Sequence, residues 1–244
     1  MVDSYAPEAL AIVAIVAALA GVIRGITGFG GAMVMSPPFA LLLGPLVAVP
    51  VVLLLESIVA APMLAQLRHV VRWRIIGPII IAACLTVPIG TYVLVSVDPQ
   101  VMRRVIAAVV VVFSLLLLRG WRYSGEQRLR TGLGLGAVSG TMLGATTLGG
   151  PPVILYLLAG PDPVEVTRAN LTYFLGAICV AGLAMLWIAG VLDRRSLVLA
   201  AVLAPGYYLG MVAGIRLFSR FNETRFRQFT LLLMLVVSAG ILVA

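Results

Sequence analysis

Long apolar runs, separated by short polar or arginine-containing stretches, divide the chain into ten segments. The predicted helices cover about 9–27, 32–44, 46–67, 75–96 and 101–118, then about 131–147, 150–160, 165–190, 196–218 and 227–244. Most runs are close to the roughly 20 apolar residues that a helix needs to cross a ~30 Å hydrocarbon layer. They lack the in-out alternation of barrel strands. The pattern therefore predicts an all-α, polytopic membrane helix bundle.

Composition supports the same conclusion. Hydrophobic residues make up 62% of the 244 residues and charged residues only 11%, with a mean hydropathy of +1.15. A soluble domain is about 45–50% apolar and about 25% charged. We therefore expect a single transmembrane domain over residues 1–244, with the first apolar run retained as a helix rather than cleaved as a signal peptide.

The chain contains two copies of one unit. The sequence GVIRGITGFGGAMVMSPPFALLLGP in the first half is matched by GAVSGTMLGATTLGGPPVILYLLAGP in the second. Four landmarks recur at offsets of about 114 to 117 residues, among them Gly25 with Gly140 and Pro88 with Pro205. We place repeat one at about 1–125 and repeat two at about 126–244.

The second segment of each repeat is short, follows a cluster of glycines and contains a proline pair. Proline removes a backbone donor and glycine loosens a helix, so each copy predicts a broken or hairpin element. Backbone left unpaired at membrane depth must be surrounded by protein or must line a polar cavity. New short helices are expected to begin near Ala32 and near Gly150.

The arginines indicate the topology, since all 17 basic residues are arginine. Arg24 lies within an apolar segment and is left out of the count. If the short segments do not cross, eight spans leave nine arginines on one side and seven on the other. If they cross, ten spans place twelve on the cytoplasmic side and four outside, which the positive-inside rule favours. Five crossings per repeat make the two halves inverted, an arrangement typical of alternating-access transporters.

Two ionisable residues lie within apolar segments. Glu56 is expected to face the bundle interior, because a carboxylate in hydrocarbon costs a few kcal/mol. It is either a proton-coupling or substrate-site group, or a carboxylate hydrogen-bonded for packing. Arg24 is either an anion-binding guanidinium or an interfacial residue that snorkels to the surface. Cys84 and Cys179 are interpreted as packing residues.

The two breaks are the stronger candidates for a binding site. The first N–H groups of each short helix lack partners and carry the positive end of the helix dipole, which suits an anion. Hydroxyls of Ser36, Thr146 and Thr147 would add donors, and no acidic residue lies in either motif. The predicted substrate is therefore a small anion held between the breaks.

The motifs GITGFGGAMVMSPPFALL from Gly25, RHVVRWR from Arg68 and TTLGGPPVILYLLAG from Thr146, followed by TRANLTYFL, resemble the TauE/SafE family of membrane transporters, also called the 4-toluene sulfonate uptake permease family. The resemblance covers nearly the whole chain. It implies a secondary transporter for sulfite, an organosulfonate or another organic anion in the cytoplasmic (inner) membrane of a bacterium, with Asn170 and Tyr173 facing the cavity.

The full set of expected substrate-binding residues is Arg24, Gly28, Phe29, Gly30, Gly31, Ser36, Thr146, Thr147, Gly149, Gly150, Pro151, Asn170 and Tyr173, with Glu56 as the coupling residue. We expect no cofactor, no metal and no nucleic-acid partner, and an association with the lipid bilayer. A passive anion channel is the alternative function. An integral-membrane enzyme is disfavoured, because the sequence shows no nucleophile-base pair, phosphate loop or metal-ligand cluster.

Overall fold

The computed structural model describes residues 6–28, 30–67, 69–119, 128–157, 160, 162–218 and 223–243. They form α1 (Pro7–Thr27), α2 (Gly31–Leu43), α3 (Pro45–Leu67), α4 (Trp73–Ser96), α5 (Pro99–Leu118), α6 (Leu129–Thr146), α7 (Gly150–Leu157), α8 (Val164–Ile188), α9 (Arg194–Phe218) and α10 (Glu223–Val243). Each helix coincides with one predicted segment, and no strand occurs in these ranges. The all-α prediction is confirmed.

Several of these helices have the dimensions of membrane spans. Five of those searched in the described ranges are long and apolar enough to cross: Pro7–Ile26, Trp73–Ser96, Pro99–Leu118, Glu165–Ile188 and Arg194–Leu217. Their outer faces carry large apolar side chains such as Leu85, which is 73% exposed, and Trp187, which is 72% exposed. Such faces are stable only against lipid or another apolar surface. The chain is a multi-pass membrane protein.

Each half interrupts its first helix over three residues. Residues 28–30 separate α1 from α2, and residues 147–149 separate α6 from α7. Gly28 and Gly30 have φ angles of 76° and 93°, which glycine adopts without strain. Thr147 takes the same role with φ 68°, the only positive φ among the non-glycine residues described. Both predicted breaks and both predicted helix starts are confirmed.

The proline pairs stand at different distances from the two breaks. Pro37 and Pro38 lie inside α2, where each removes an intrahelical donor. Pro151 and Pro152 directly follow Gly150 at the start of α7, where the first N–H groups have no partner in any case. Aligning the two repeats on their prolines therefore does not align their breaks.

Several helix pairings recur when the two halves are exchanged. Helix α1 packs along α9, and α6 packs along α4 in the corresponding way. Helices α3 and α8 contact each other, as do α5 and α10, so each of these helices packs against its own counterpart. These four pairings are what a pseudo-two-fold axis between the halves would produce. That the halves are inverted stays a prediction.

Glycines make the α4–α6 and α1–α9 crossings close. The sequence spaces six glycines at four-residue intervals along α6 and α9, which predicts close packing there: Gly136, Gly140, Gly144, Gly206, Gly210 and Gly214. At five of them an added Cβ would fall within 3 Å of the carbonyl oxygen of a residue on the partner helix. Small residues at such crossings allow backbones to approach in lipid. Gly206 is the exception, because its Cβ would meet nothing within 4 Å, and the packing prediction is wrong there.

One ion pair bears on the number of crossings. The Nη1 atom of Arg72, between α3 and α4, lies 2.6 Å from the Oδ1 atom of Asp162, between α7 and α8. The two connections are therefore on the same side of the bundle. Four crossings between them place them on the same side, whereas omitting α7 places them on opposite sides. The contact is the one expected of ten crossings, and the number of crossings stays a prediction.

Candidate functional site

A small cavity lies where the two breaks approach each other. Its volume is about 30 Å³. The first half contributes Arg24, Gly30, Ala32, Met33 and Glu56, and the second half contributes Leu143, Thr147, Leu148, Gly150, Pro151, Ile154, Leu175 and Cys179. A site of this size holds a few water-sized groups, whereas pockets for drug-sized ligands measure about 300–1,000 Å³. The predicted convergence of the two motifs is observed.

The centre of the site is a buried ion pair. The Nη2 atom of Arg24, on α1, lies 3.4 Å from the Oε2 atom of Glu56, on α3, and the two side chains are 2% and 8% exposed. Arg24 therefore does not reach the surface, and the snorkelling alternative is wrong. The predicted interior position of Glu56 is confirmed. Each charge offsets the cost of burying the other.

Tyr207 completes this cluster from α9. Its hydroxyl donates a hydrogen bond of 2.7 Å to the Oε1 atom of Glu56. The backbone of Gly31 passes close to both groups, so that a Cβ at this position would overlap the Tyr207 hydroxyl and approach Glu56 Oε1 to 2.5 Å. A side chain at position 31 would therefore displace Tyr207 or Glu56 from this contact.

Arg24 retains unused hydrogen-bonding capacity. Its Nε atom is buried and has no hydrogen-bond partner among the described residues. A guanidinium presents its donors in a planar fork that matches the oxygens of an oxyanion. An unsatisfied donor inside a protein is unfavourable, and in a cavity it marks a place for a ligand or water.

Hydroxyl groups from the two breaks meet beside the cavity. The Ser36 Oγ and Thr147 Oγ1 atoms lie 2.5 Å apart, and Ser36 also donates to the carbonyl of Ala32. The Thr146 hydroxyl instead donates to the carbonyl of Met142 within α6 and accepts from the N–H of Leu148. Thr147 therefore faces the site, whereas Thr146 stabilises the end of α6.

Several predicted site residues lie elsewhere. Gly149 packs against α6 and α8, where a Cβ would come within 3 Å of Leu143 and Ile178, and it does not line the cavity. Gly28 lies beside the guanidinium of Arg168. Phe29 is outside the described residues. These three expectations receive no support from the geometry.

Asn170 and Tyr173 also lie away from the cavity. They belong to what we term the α3–α8 clasp, formed by Leu64, Arg72, Asp162, Asn170 and Tyr173. Asn170 Oδ1 accepts a 2.9 Å hydrogen bond from the backbone N–H of Arg72, and the Tyr173 hydroxyl donates to the carbonyl of Leu64 at 2.7 Å. Together with the Arg72–Asp162 ion pair, these contacts join the halves at one end of the bundle.

Sequence reasoning missed two residues. Tyr207 was unassigned, and Cys179 was interpreted as a packing residue although it lines the cavity. Tyr207 is fully buried at 1% exposure, whereas its neighbour Tyr208 is 44% exposed. Gly210 and Gly214 lie on the side of α9 that faces α1. Tyr207 precedes Gly210 by about one turn, so this spacing of small residues could have placed Tyr207 on the same buried side.

The chain is a polytopic membrane protein with a cavity, lined by buried charged groups, between two broken helices. This combination is typical of membrane transporters. A sequence model of the sulfite exporter TauE/SafE family matches residues 13–241. The chain therefore belongs to that family, a family of membrane-spanning anion exporters. No curated protein and no solved structure gives a significant match.

Proposed function

We propose that this protein is a secondary transporter that moves a small anion, sulfite or a small organosulfonate, across the bacterial cytoplasmic membrane by alternating access. The observation that carries the proposal is Arg24, buried in a cavity between the two breaks with its Nε atom unpaired. Family membership supports the transport class and the sulfur-oxyanion chemistry.

An anion is favoured because the cavity offers mainly donors. Arg24 supplies a buried guanidinium with an unpaired Nε atom, and α2 begins at Gly31, between Gly30 and Ala32 of the cavity wall. The Thr147 hydroxyl contacts Ser36 in this structure and becomes a further donor when it turns to a bound anion. The sequence argument that the site has no acidic neighbour does not hold in three dimensions, since α3 brings Glu56 to it. An anion must therefore compete with Glu56 for Arg24.

The size of the cavity supports a substrate of few atoms. At about 30 Å³ it accommodates an ion such as sulfite more readily than a long organosulfonate. Apolar side chains of Met33, Leu143, Ile154 and Leu175 form the remainder of the wall. Such a wall excludes water and strengthens the attraction of Arg24 for a single anion.

Alternating access is favoured over a passive channel by the clasp. The Arg72–Asp162 ion pair and the Asn170 and Tyr173 hydrogen bonds close one end of the bundle at the junction of the two halves. Leu175, which lines the cavity, lies on the same helix about one and a half turns from Asn170. Opening the clasp would expose the cavity to that side.

Counterflow in proteoliposomes distinguishes the two functions. Vesicles loaded with unlabelled sulfite should accumulate radiolabelled sulfite transiently, because a carrier exchanges one anion for another. A channel dissipates the gradient without accumulation. Sulfate, taurine and acetate serve as competitors, and Arg24→Gln is the inactive control. Absence of counterflow, together with sulfite flux that does not saturate, would favour the channel.

A further inference from the structure

Both oxygens of the Glu56 carboxylate are engaged inside the bundle. Oε2 lies 3.4 Å from Arg24 Nη2, and Oε1 accepts the hydrogen bond of the Tyr207 hydroxyl at 2.7 Å. Arg24 has donors only, so its contact requires an acceptor oxygen on Glu56. Both oxygens therefore face donors, which is the contact pattern of a carboxylate opposite a guanidinium.

The ionisable groups around Glu56 come from three helices. Arg24 lies on α1, Tyr207 on α9 and Cys179 on α8, while α2 contributes the backbone of Gly31. With a neutral tyrosine and a neutral thiol, the net charge of this group is zero. A monovalent anion would leave one uncompensated negative charge in a medium of low dielectric constant, which is costly.

We propose that Glu56 is the resident counter-ion of Arg24, and that a monovalent anion replaces it only when Glu56 takes up one proton. This inference rests on the proposed function. The anion takes the place of the Glu56 carboxylate beside the Arg24 guanidinium. The proton forms an O–H bond with a Glu56 oxygen, and no other covalent bond changes. Charge is conserved at zero, so the loaded site carries the substrate and a proton together and the transport step is electroneutral.

Tyr207 is the positioning residue in this exchange. A tyrosine hydroxyl is both donor and acceptor. It donates to Glu56 when the carboxylate is ionised, and its oxygen accepts from Glu56 once that group carries the proton. The Glu56–Tyr207 contact can therefore persist while the Glu56–Arg24 contact opens. Phenylalanine at this position would remove both roles and leave the packing of the ring intact.

Proton counting on the purified protein tests the exchange. Sulfite binding is followed by isothermal titration calorimetry at pH 8.5 in two buffers with different heats of ionisation, for the wild type and for Glu56→Gln. Free sulfite is mainly divalent at this pH and takes up a proton of its own when it binds as the monovalent ion. This contribution is the same for the wild type and the variant, so the difference between their proton counts reports Glu56. We expect the wild type to take up one more proton per bound anion. Its affinity relative to the variant should fall tenfold per unit rise in pH.

Controls keep the outcomes separable. Glu165→Gln, at an exposed position in the first turn of α8, should leave the proton count unchanged. Tyr207→Phe should lower the proton count, and with it the pH dependence of the affinity, without abolishing sulfite binding. If Glu56→Gln does not fold, the wild-type protein alone gives the test: after subtraction of the protons that sulfite itself takes up, one proton per bound anion is expected, and none would overturn the exchange.

Equal proton counts in wild type and Glu56→Gln would overturn the exchange and leave anion binding standing. Failure of the wild type to bind sulfite or any competitor anion would instead overturn the proposed function itself.

Discussion

The hydroxyl oxygens of Ser36 and Thr147, 111 residues apart in the chain, lie 2.5 Å from each other. Ser36 belongs to the short helix of the first half, and Thr147 forms the break of the second. Their contact shows that the repeated motifs meet inside the bundle rather than at opposite membrane surfaces. An anion site between the two breaks is thus geometrically possible, and substitutions at Thr147 can test it.

Changing Thr147 should separate backbone from hydroxyl effects. Thr147→Val keeps the shape and loses the hydroxyl, and we expect sulfite affinity to fall about five- to tenfold, the value of about one hydrogen bond. Thr147→Ser should bind like the wild type. Thermal shift and calorimetry measure both. Equal affinity of the valine variant would remove this hydroxyl from the site.

Removing one member of the buried ion pair should destabilise the protein. Arg24→Met leaves Glu56 buried without its counter-charge, and we expect a loss of about 3–5 kcal/mol in the free energy of unfolding. The double variant Arg24→Met/Glu56→Gln should recover most of this stability and still fail to bind sulfite. Thermal unfolding with and without sulfite gives both quantities. Sulfite stabilisation of the double variant would place the anion elsewhere.

A bulky side chain in the cavity should block binding. Gly30 and Gly149, both expected from the sequence to bind substrate, are unsuited to this test, because Gly30 has a positive φ and Gly149 is packed between helices. Gly150 is the better position, since it lines the cavity and its Cβ would approach Leu175 to 3.2 Å. Gly150→Leu should abolish sulfite-induced stabilisation while the protein still folds.

Its matched control is a glycine from the α1–α9 crossing. A Cβ at Gly210 would overlap the backbone carbonyl of Ala18, so Gly210→Leu should lower the melting temperature by separating the helices. Residual folded protein should still bind sulfite. If the Gly150→Leu variant binds sulfite with wild-type affinity, the anion does not bind between the breaks.

The ten-crossing topology can be tested from outside the cell. Cysteine at Asp98 or Asp193 should react with a membrane-impermeant maleimide in intact cells, whereas cysteine at His69 or Arg119 should react only after permeabilisation. The native thiols contribute little background, because Cys84 is half-buried and Cys179 buried. The connections at His69 and Asp193 are equivalent in the two repeats, so labelling of both positions from the same side would contradict the inverted arrangement of the halves.

The arrangement of helices could be predicted from the sequence because it depends on local chemistry. Runs of apolar residues long enough to cross a bilayer must be helical, since lipid offers no hydrogen-bond partners to a backbone. The breaks at 28–30 and 147–149 were visible for the same reason, because glycine and proline act on the backbone where they stand. Thr147 is the exception, since a β-branched residue with positive φ has no sequence signature.

The chemistry of the site was decided by tertiary structure. Arg24 and Glu56 could each be recognised as a charge in an apolar segment, but their pairing depends on how α1 and α3 pack. Tyr207 reached the site because the glycines of α9 allow that helix to lie close against α1. Asn170 and Tyr173 were directed to the clasp instead of the cavity by the same packing. Hydropathy fixes which segments enter the membrane, whereas the contacts between their faces, set by side-chain shape across distant segments, determine which polar groups meet.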